Sequence, residues 1–209
     1  MTIWPRRGVR SKRGFPSWEE LVGIYKAGNR LAQDYADICK RVLMDQEGSG
    51  KRVLLITSAV DGEGKTTTAV NLATLLAREE KKTLLVDANF RRPALAKYLG
   101  KGGTEGLVEM LTERSVQKAT IMSDRDFPYL DFLPHGNREG GLIEGLLSGD
   151  CQSLLSELAS PYEFVILDGP SVNVSPESLA LGKLADRVLL VVKCDDTPKK
   201  EIHVARDSL

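Results

Sequence analysis

Short unbroken apolar runs recur along most of the chain, each bounded by glycine, proline or charged residues: "RVLLITS" at 52–58, "TLLVD" at 83–87, "YLDFLP" at 129–134, "EFVILD" at 163–168 and "DRVLLVV" at 186–192. Runs of this length without polar alternation read as strands buried on both faces. Between them lie segments with apolar residues at helical spacing, at 66–79, 105–113, 151–159, 176–184 and 197–209. Strands alternating with helices predict an α/β fold, a mostly parallel sheet flanked by helices, in which ligands gather at the carboxyl ends of the strands.

The region before the first strand has a different texture. Residues 1–16 carry Arg6, Arg7, Arg10, Lys12 and Arg13 without acidic relief and are punctuated by Pro5, Gly8, Gly14 and Pro16, so they predict a basic flexible arm. Ser17 and Glu20 have the spacing of a capping box. Leu21, Ile24, Tyr25, Leu31, Tyr35, Ile38 and Val42 then follow at helical intervals, which makes 17–47 a helical extension with a break near Gly28. The chain divides into this arm, this extension and a phosphate-loop domain over 51–209.

Composition narrows the function without naming it. Lys+Arg 29 balance Asp+Glu 29, which argues against a protein that coats nucleic acid. The apolar runs fall far short of the roughly 18 residues a spanning helix needs. No signal-peptide core follows Met1, so the expected location is cytoplasmic, with the basic arm as a foothold at the inner membrane face. Cys39, Cys151 and Cys194 are scattered without metal or disulfide spacing. His135 and His203 are isolated in the same way.

The chemistry concentrates in "TSAVDGEGKTTTAVNLA", residues 57–73, which stands directly after a strand and opens a helix. Gly62 and Gly64 let the backbone curl so that successive N–H groups and the helix N-terminus face phosphate oxygens. Lys65 is placed to neutralise the outer phosphates and the Thr66 hydroxyl to ligate Mg²⁺. Ala59 stands where the usual loop has its first glycine, and the glycines nearest the phosphates are kept. Two carboxylates, Asp87 and Asp168, close strands and complete a magnesium site, although an acid in such a position also serves as a turn or helix cap.

Together "TSAVDGEGKTTTAVNLA", "LLVDANFRRP" and "FVILDGPSV" resemble the cytoplasmic domain of the bacterial tyrosine kinases of capsule and exopolysaccharide synthesis. The resemblance implies a P-loop NTPase fold related to the partition and division-site ATPases, with ATP and Mg²⁺ as cofactors. It assigns nucleotide binding to Asp61, Gly62, Glu63, Gly64, Lys65, Thr66, Thr67 and Arg91, and metal binding to Thr66, Asp87 and Asp168. Lys65, Asp87 and Asp168 form the catalytic set, Asp87 assisting deprotonation of a tyrosine hydroxyl. It also implies a separate membrane-bound polysaccharide chain-length regulator (co-polymerase) as partner, a protein-tyrosine substrate and a homo-oligomer.

Several positions depart from that family's pattern. Asn89 replaces the second acid of D-x-D-x-R, and an amide neither takes up a proton near neutral pH nor brings a full charge to a metal. The last tyrosine is Tyr162, so no C-terminal tyrosine cluster follows. Gln33, Ala36 and Cys39 stand where the family's assembly helix has E-x-x-R-x-x-R. Val60 occupies the place of the extra lysine with which partition ATPases reach a dimer partner's nucleotide. Two readings therefore stand side by side: a tyrosine kinase, and an ATP-dependent interaction switch that phosphorylates no protein.

Overall fold

The computed structural model describes residues 30–44, 52–98, 105–124, 127–137 and 142–209. The basic arm, the Ser17 capping box and the break near Gly28 lie outside the described residues. Within them the chain order is α1 (Arg30–Met44), β1 (Arg52–Ser58), α2 (Lys65–Arg78), β2 (Thr83–Asp87), α3 (Leu95–Tyr98) and α4 (Leu107–Glu113). A 3₁₀ turn (Val116–Lys118), β3 (Met122–Asp124), β4 (Phe127–Leu133), α5 (Leu142–Leu147) and α6 (Cys151–Ala159) follow. β5 (Phe164–Asp168), α7 (Glu177–Leu184), β6 (Arg187–Val191) and α8 (Lys199–Ser208) complete the set.

The strands form one six-stranded sheet in the order β3-β4-β2-β5-β1-β6. All neighbours are parallel except β3 and β4, so the mostly parallel sheet expected from the apolar runs is what the chain builds. Side chains of successive strand residues leave the sheet on opposite faces. One set, including Val53, Leu55, Leu84, Val86, Val165 and Leu167, packs under α4, α5, α6 and α7. The other set, Leu54, Ile56, Leu85, Phe164 and Ile166, packs under α1 and α2.

That alternation places the functional ends of the strands. Ser58 continues the series 54, 56; Asp87 continues from 85; Asp168 continues from 164, 166. All three therefore emerge on the face that carries α2, at the carboxyl end of the sheet. Asp87 and Asp168 are register partners on neighbouring strands, and Asp168 is also the partner of Ile56 in β1. Gly169 keeps this junction tight: a Cβ there would lie 2.5 Å from Leu55 Cδ1 and 3.3 Å from the Ile56 carbonyl. The Gly169 N–H instead donates to that carbonyl at 2.9 Å, and the segment after β5 runs on beside the end of β1.

Candidate nucleotide and metal site

The loop between β1 and α2 has the backbone its glycines allow. Gly62 and Gly64 hold φ of 85° and 93°, in the left-handed region that other residues rarely enter. Gly64 is also the N-cap of α2 and supplies no side-chain cap. The first N–H groups of a helix have no partner within it, so an uncapped glycine start leaves donors and positive dipole for an anion. Lys65 is the first helical residue and is only 6% exposed. Its Nζ donates to Ser58 Oγ at 2.9 Å and sits 3.8 Å from Asp61 Oδ1. Burial pushes the Lys65 ammonium below its usual range, while Asp61, Asp168 and Glu63 pull it back up and Arg92 opposes them.

Asp168 is fully buried, and neither carboxylate oxygen has a hydrogen-bond partner. Burial first, and the Asp87 charge second, lift its pKa to about 8; the Thr66 hydroxyl and Lys65 pull the other way. The hydroxyl acts from outside hydrogen-bonding geometry. A buried carboxyl with no partner, beside a threonine hydroxyl and a second carboxylate, is a set of hard oxygen donors that fits Mg²⁺. Among the described residues no cluster of three or more His, Cys, Asp or Glu could hold a metal. Mg²⁺ keeps waters and takes phosphate oxygens alongside one or two protein carboxylates, so its site needs no larger cluster.

Asp87, equally buried, is already engaged. Its Oδ2 accepts the Leu95 N–H at 3.0 Å, and its Oδ1 the Asn89 N–H at 3.4 Å. The carboxylate thus pins both ends of the 88–95 loop, the capping role that an acid after a strand can also play. Asn89 Oδ1 in turn accepts the Arg92 N–H at 3.2 Å, so the residue in the second acid's place closes a local turn.

The two arginines of "FRRP" diverge. Arg91 Nη1 donates to the Val174 carbonyl in the loop after β5. Arg92, which sequence reasoning passed over, lies 3.6 Å from Asp61 in the phosphate loop. Only the first arginine matches a motif, so nothing in the sequence pointed to the second. Asp61 collects these contacts: it is near Lys65 and Arg92 and accepts the Ser171 hydroxyl.

Glu63 turns away from the mouth of the loop. Its Oε2 accepts the Val60 N–H at 2.9 Å, and its Oε1 accepts the Thr197 hydroxyl and the Lys193 N–H. Burial pushes its carboxyl up, yet bonds from Thr197, Val60, Lys193 and Ser58 together hold it below the usual range. The side chain therefore braces the phosphate loop against the β6–α8 turn. Glu63→Ala strips the acceptor from three donors and is expected to cost about 2–3 kcal/mol of stability and to weaken ATP binding, with Glu63→Gln intermediate. Paired melts and ATP titrations check this; unchanged ATP affinity in a destabilised Glu63→Ala protein would remove the brace from nucleotide binding.

The remaining candidates are peripheral. His135 packs its ring against Phe90 with centroids 5.6 Å apart, and burial lowers its pKa while Glu109 opposes. Tyr162 is buried, donates to Asp131 Oδ2 at 2.9 Å and is pushed well above its usual range by burial and that contact. Tyr35 on α1 shares a 3.3 Å contact with Thr68 Oγ1 on α2. Also on α1, Gln33 bonds Asp37 within the helix, and Cys39 is buried beneath α2.

A family model described as an AAA domain matches residues 51–202, well over half the chain. The chain belongs to this family. Its curated relatives include bacterial tyrosine kinases, and the chain belongs with them. It is 28% identical over 201 residues to the tyrosine-protein kinase YwqD of Bacillus subtilis, covering 96% of this chain and 84% of YwqD. The succinoglycan biosynthesis transport protein ExoP of Rhizobium meliloti is 33% identical over 75% of this chain, which spans only 20% of ExoP. The crystal structure of the chimerical protein CapA2B2 superposes with a TM-score of 0.80 at 26% identity, covering 90% of this chain and 83% of that one. In fold alone the AAA-domain core extends to the MinD cell division protein of Aquifex aeolicus, TM-score 0.60 at 24% identity over 75% of this chain and 62% of that one. The likeness in fold to a cell division protein, expected from the motifs, is thus shown. Among the described residues no helix is long and apolar enough to cross a membrane.

Proposed function

We propose that this protein binds Mg-ATP and transfers its terminal phosphoryl group to a protein tyrosine in exopolysaccharide or capsule synthesis. The observation that carries the reading is the unpartnered, fully buried Asp168 carboxyl beside Thr66, at the foot of an uncapped glycine loop that holds Lys65. Phosphoryl transfer needs positioning and charge neutralisation more than covalent chemistry from the protein. Lys65 and the first N–H groups of α2 bind and orient the phosphates, with Asp61, Gly62, Glu63, Gly64 and Thr67 shaping the loop. Thr66, Asp168 and Asp87 would hold Mg²⁺, which supplies charge neutralisation at the phosphates. Asp87 stands ready to accept the tyrosine proton, while Arg91 ties the 88–95 loop to the segment after β5.

A relative named for succinoglycan biosynthesis transport supports a partner in polysaccharide export, and we propose that this partner is a membrane-bound chain-length regulator met at the inner membrane face. The switch reading keeps two specific observations in its favour: Asn89 serves a turn, and Tyr162 is buried and hydrogen-bonded. Among the described tyrosine side chains Tyr129 is the most open, at 39% exposure.

Incubation of the purified protein with Mg-ATP, alone and with the regulator's cytoplasmic segments, followed by mass-spectrometric mapping of phosphotyrosine, tests the proposal. Phosphotyrosine on either protein supports the kinase. Bound Mg-ATP with no phosphotyrosine in either setting replaces it with the switch.

A further inference from the structure

The phosphate loop holds one carboxylate between two cations. Asp61 Oδ1 lies 3.8 Å from Lys65 Nζ, and Asp61 Oδ2 lies 3.6 Å from Arg92 Nη1. The two cations are held very differently. Lys65 is buried and anchored to Ser58, whereas the Arg92 side chain is 78% exposed and stays beyond hydrogen-bonding distance of Asp61. An exposed, solvent-screened pair of that kind is worth little, so Arg92 is free to take a better anion. Burial chiefly depresses the Lys65 ammonium, and the Arg92 charge adds to the effect, so the two cations act on one another across Asp61.

The adjacent arginine is committed elsewhere. Arg91 Nη1 donates to the Val174 carbonyl, and Asn89 Oδ1 accepts the Arg92 N–H. The turn that spends Arg91 on the segment after β5 therefore also fixes the base of the Arg92 side chain beside the phosphate loop. Asp87 pins both ends of this turn through the Asn89 and Leu95 N–H groups. Arg92 thus reaches the phosphate loop from the same turn as the carboxylate that accepts the tyrosine proton, while the glycines and the start of α2 cradle the phosphates from the other strand.

We infer, on the Mg-ATP reading of this site, that Arg92 is a ligand of the terminal phosphate: its guanidinium exchanges Asp61 for phosphate oxygens shared with Lys65. A planar guanidinium engages phosphate oxygens two at a time, and the phosphate brings more charge than the carboxylate it replaces. ADP lacks that group and leaves Arg92 with Asp61, so Arg92 distinguishes the two nucleotides. The nucleotide-binding role that the family resemblance gives to Arg91 passes to its neighbour.

Paired calorimetric titrations with Mg-ATP and Mg-ADP test the inference. Arg92→Ala should lose about tenfold in affinity for Mg-ATP and little for Mg-ADP. Arg92→Gln keeps most of the stem without the charge and should behave alike, so the test does not hang on the folding of one variant. Arg91→Ala, which frees only a loop carbonyl, should move both nucleotides by the same factor. If the wild type binds Mg-ATP and the ATP-to-ADP affinity ratio is unchanged in both Arg92 variants, the inference falls and the Mg-ATP reading stands. A loss of selectivity confined to Arg91→Ala overturns it in the same way. Wild-type protein that binds neither nucleotide overturns both.

Discussion

Lys65→Met is expected to lower Mg-ATP affinity at least about 100-fold and to bring phosphoryl transfer below detection, while leaving the fold intact. Each half follows from the same geometry. The Lys65 ammonium adds a full positive charge to the neutral backbone N–H donors of the loop, and charge-assisted bonds to phosphate are the strongest such a loop can make. Removing a single donor aimed at developing charge costs about 10²–10³ in rate in well-studied enzymes. Stability should move little, because burial already depresses the Lys65 pKa and a methionine of similar length removes that desolvation cost. The lost bond is the one to Ser58 Oγ, whose hydroxyl still donates to the Val60 carbonyl at 2.6 Å. Calorimetric titration with Mg-ATP beside thermal melts reads both. Affinity retained within threefold in the methionine protein would mean that the loop does not hold the terminal phosphates through Lys65.

Much of this site was legible from the chain because strand alternation and loop chemistry are local. β1 and β2 occupy the residues their apolar runs marked, 52–58 and 83–87, and the glycine pattern alone located the start of α2 to within a residue. Asp87 and Asp168 were legible as strand ends, while the face they share follows from the clusters their strands pack into. Elements of fewer than two full periods were not legible: α3 and α5 span too few turns to show a helical repeat, and β3 is three residues paired antiparallel at the edge. Orientation was harder still. Glu63 sits in the phosphate loop, yet its direction is set by Lys193 and Thr197, some 130 residues on. Which of two adjacent arginines meets Asp61 depends on how the Asp87-capped loop turns, and Asn89, read only as the loss of the motif's second acid, gains its structural role only when that turn exists.

Asp168→Asn should abolish the response of nucleotide binding to Mg²⁺ and, in the same protein, raise stability in a pH-dependent way. In the folded chain Asp168 has a pKa of about 8 against an ordinary value of 3.8. Below about pH 4 the carboxyl is protonated in both states and contributes no difference. Between about pH 4 and 8 the unfolded state loses the proton and the folded state keeps it, so ionisation favours unfolding increasingly as pH rises; above about pH 8 the penalty is constant. Asparagine never ionises, and its advantage over the wild type should therefore grow across that window. Four pKa units would correspond to about 5 kcal/mol as a ceiling, and local relaxation brings the expectation to about 2 kcal/mol or a Tm gain of roughly 4–8 °C at pH 8, vanishing near pH 4. An amide offers the metal a neutral oxygen in place of a charge, so Mg²⁺ should no longer tighten ATP binding. Melts of both proteins from pH 4 to 9, with ATP titrations in the presence and absence of Mg²⁺, separate the two effects. A stability gain that is flat with pH would mean that Asp168 is ionised in the folded protein. It would then need a partner charge close by, and Lys65, whose nearest anchors are Ser58 and Asp61, would have to swing toward it.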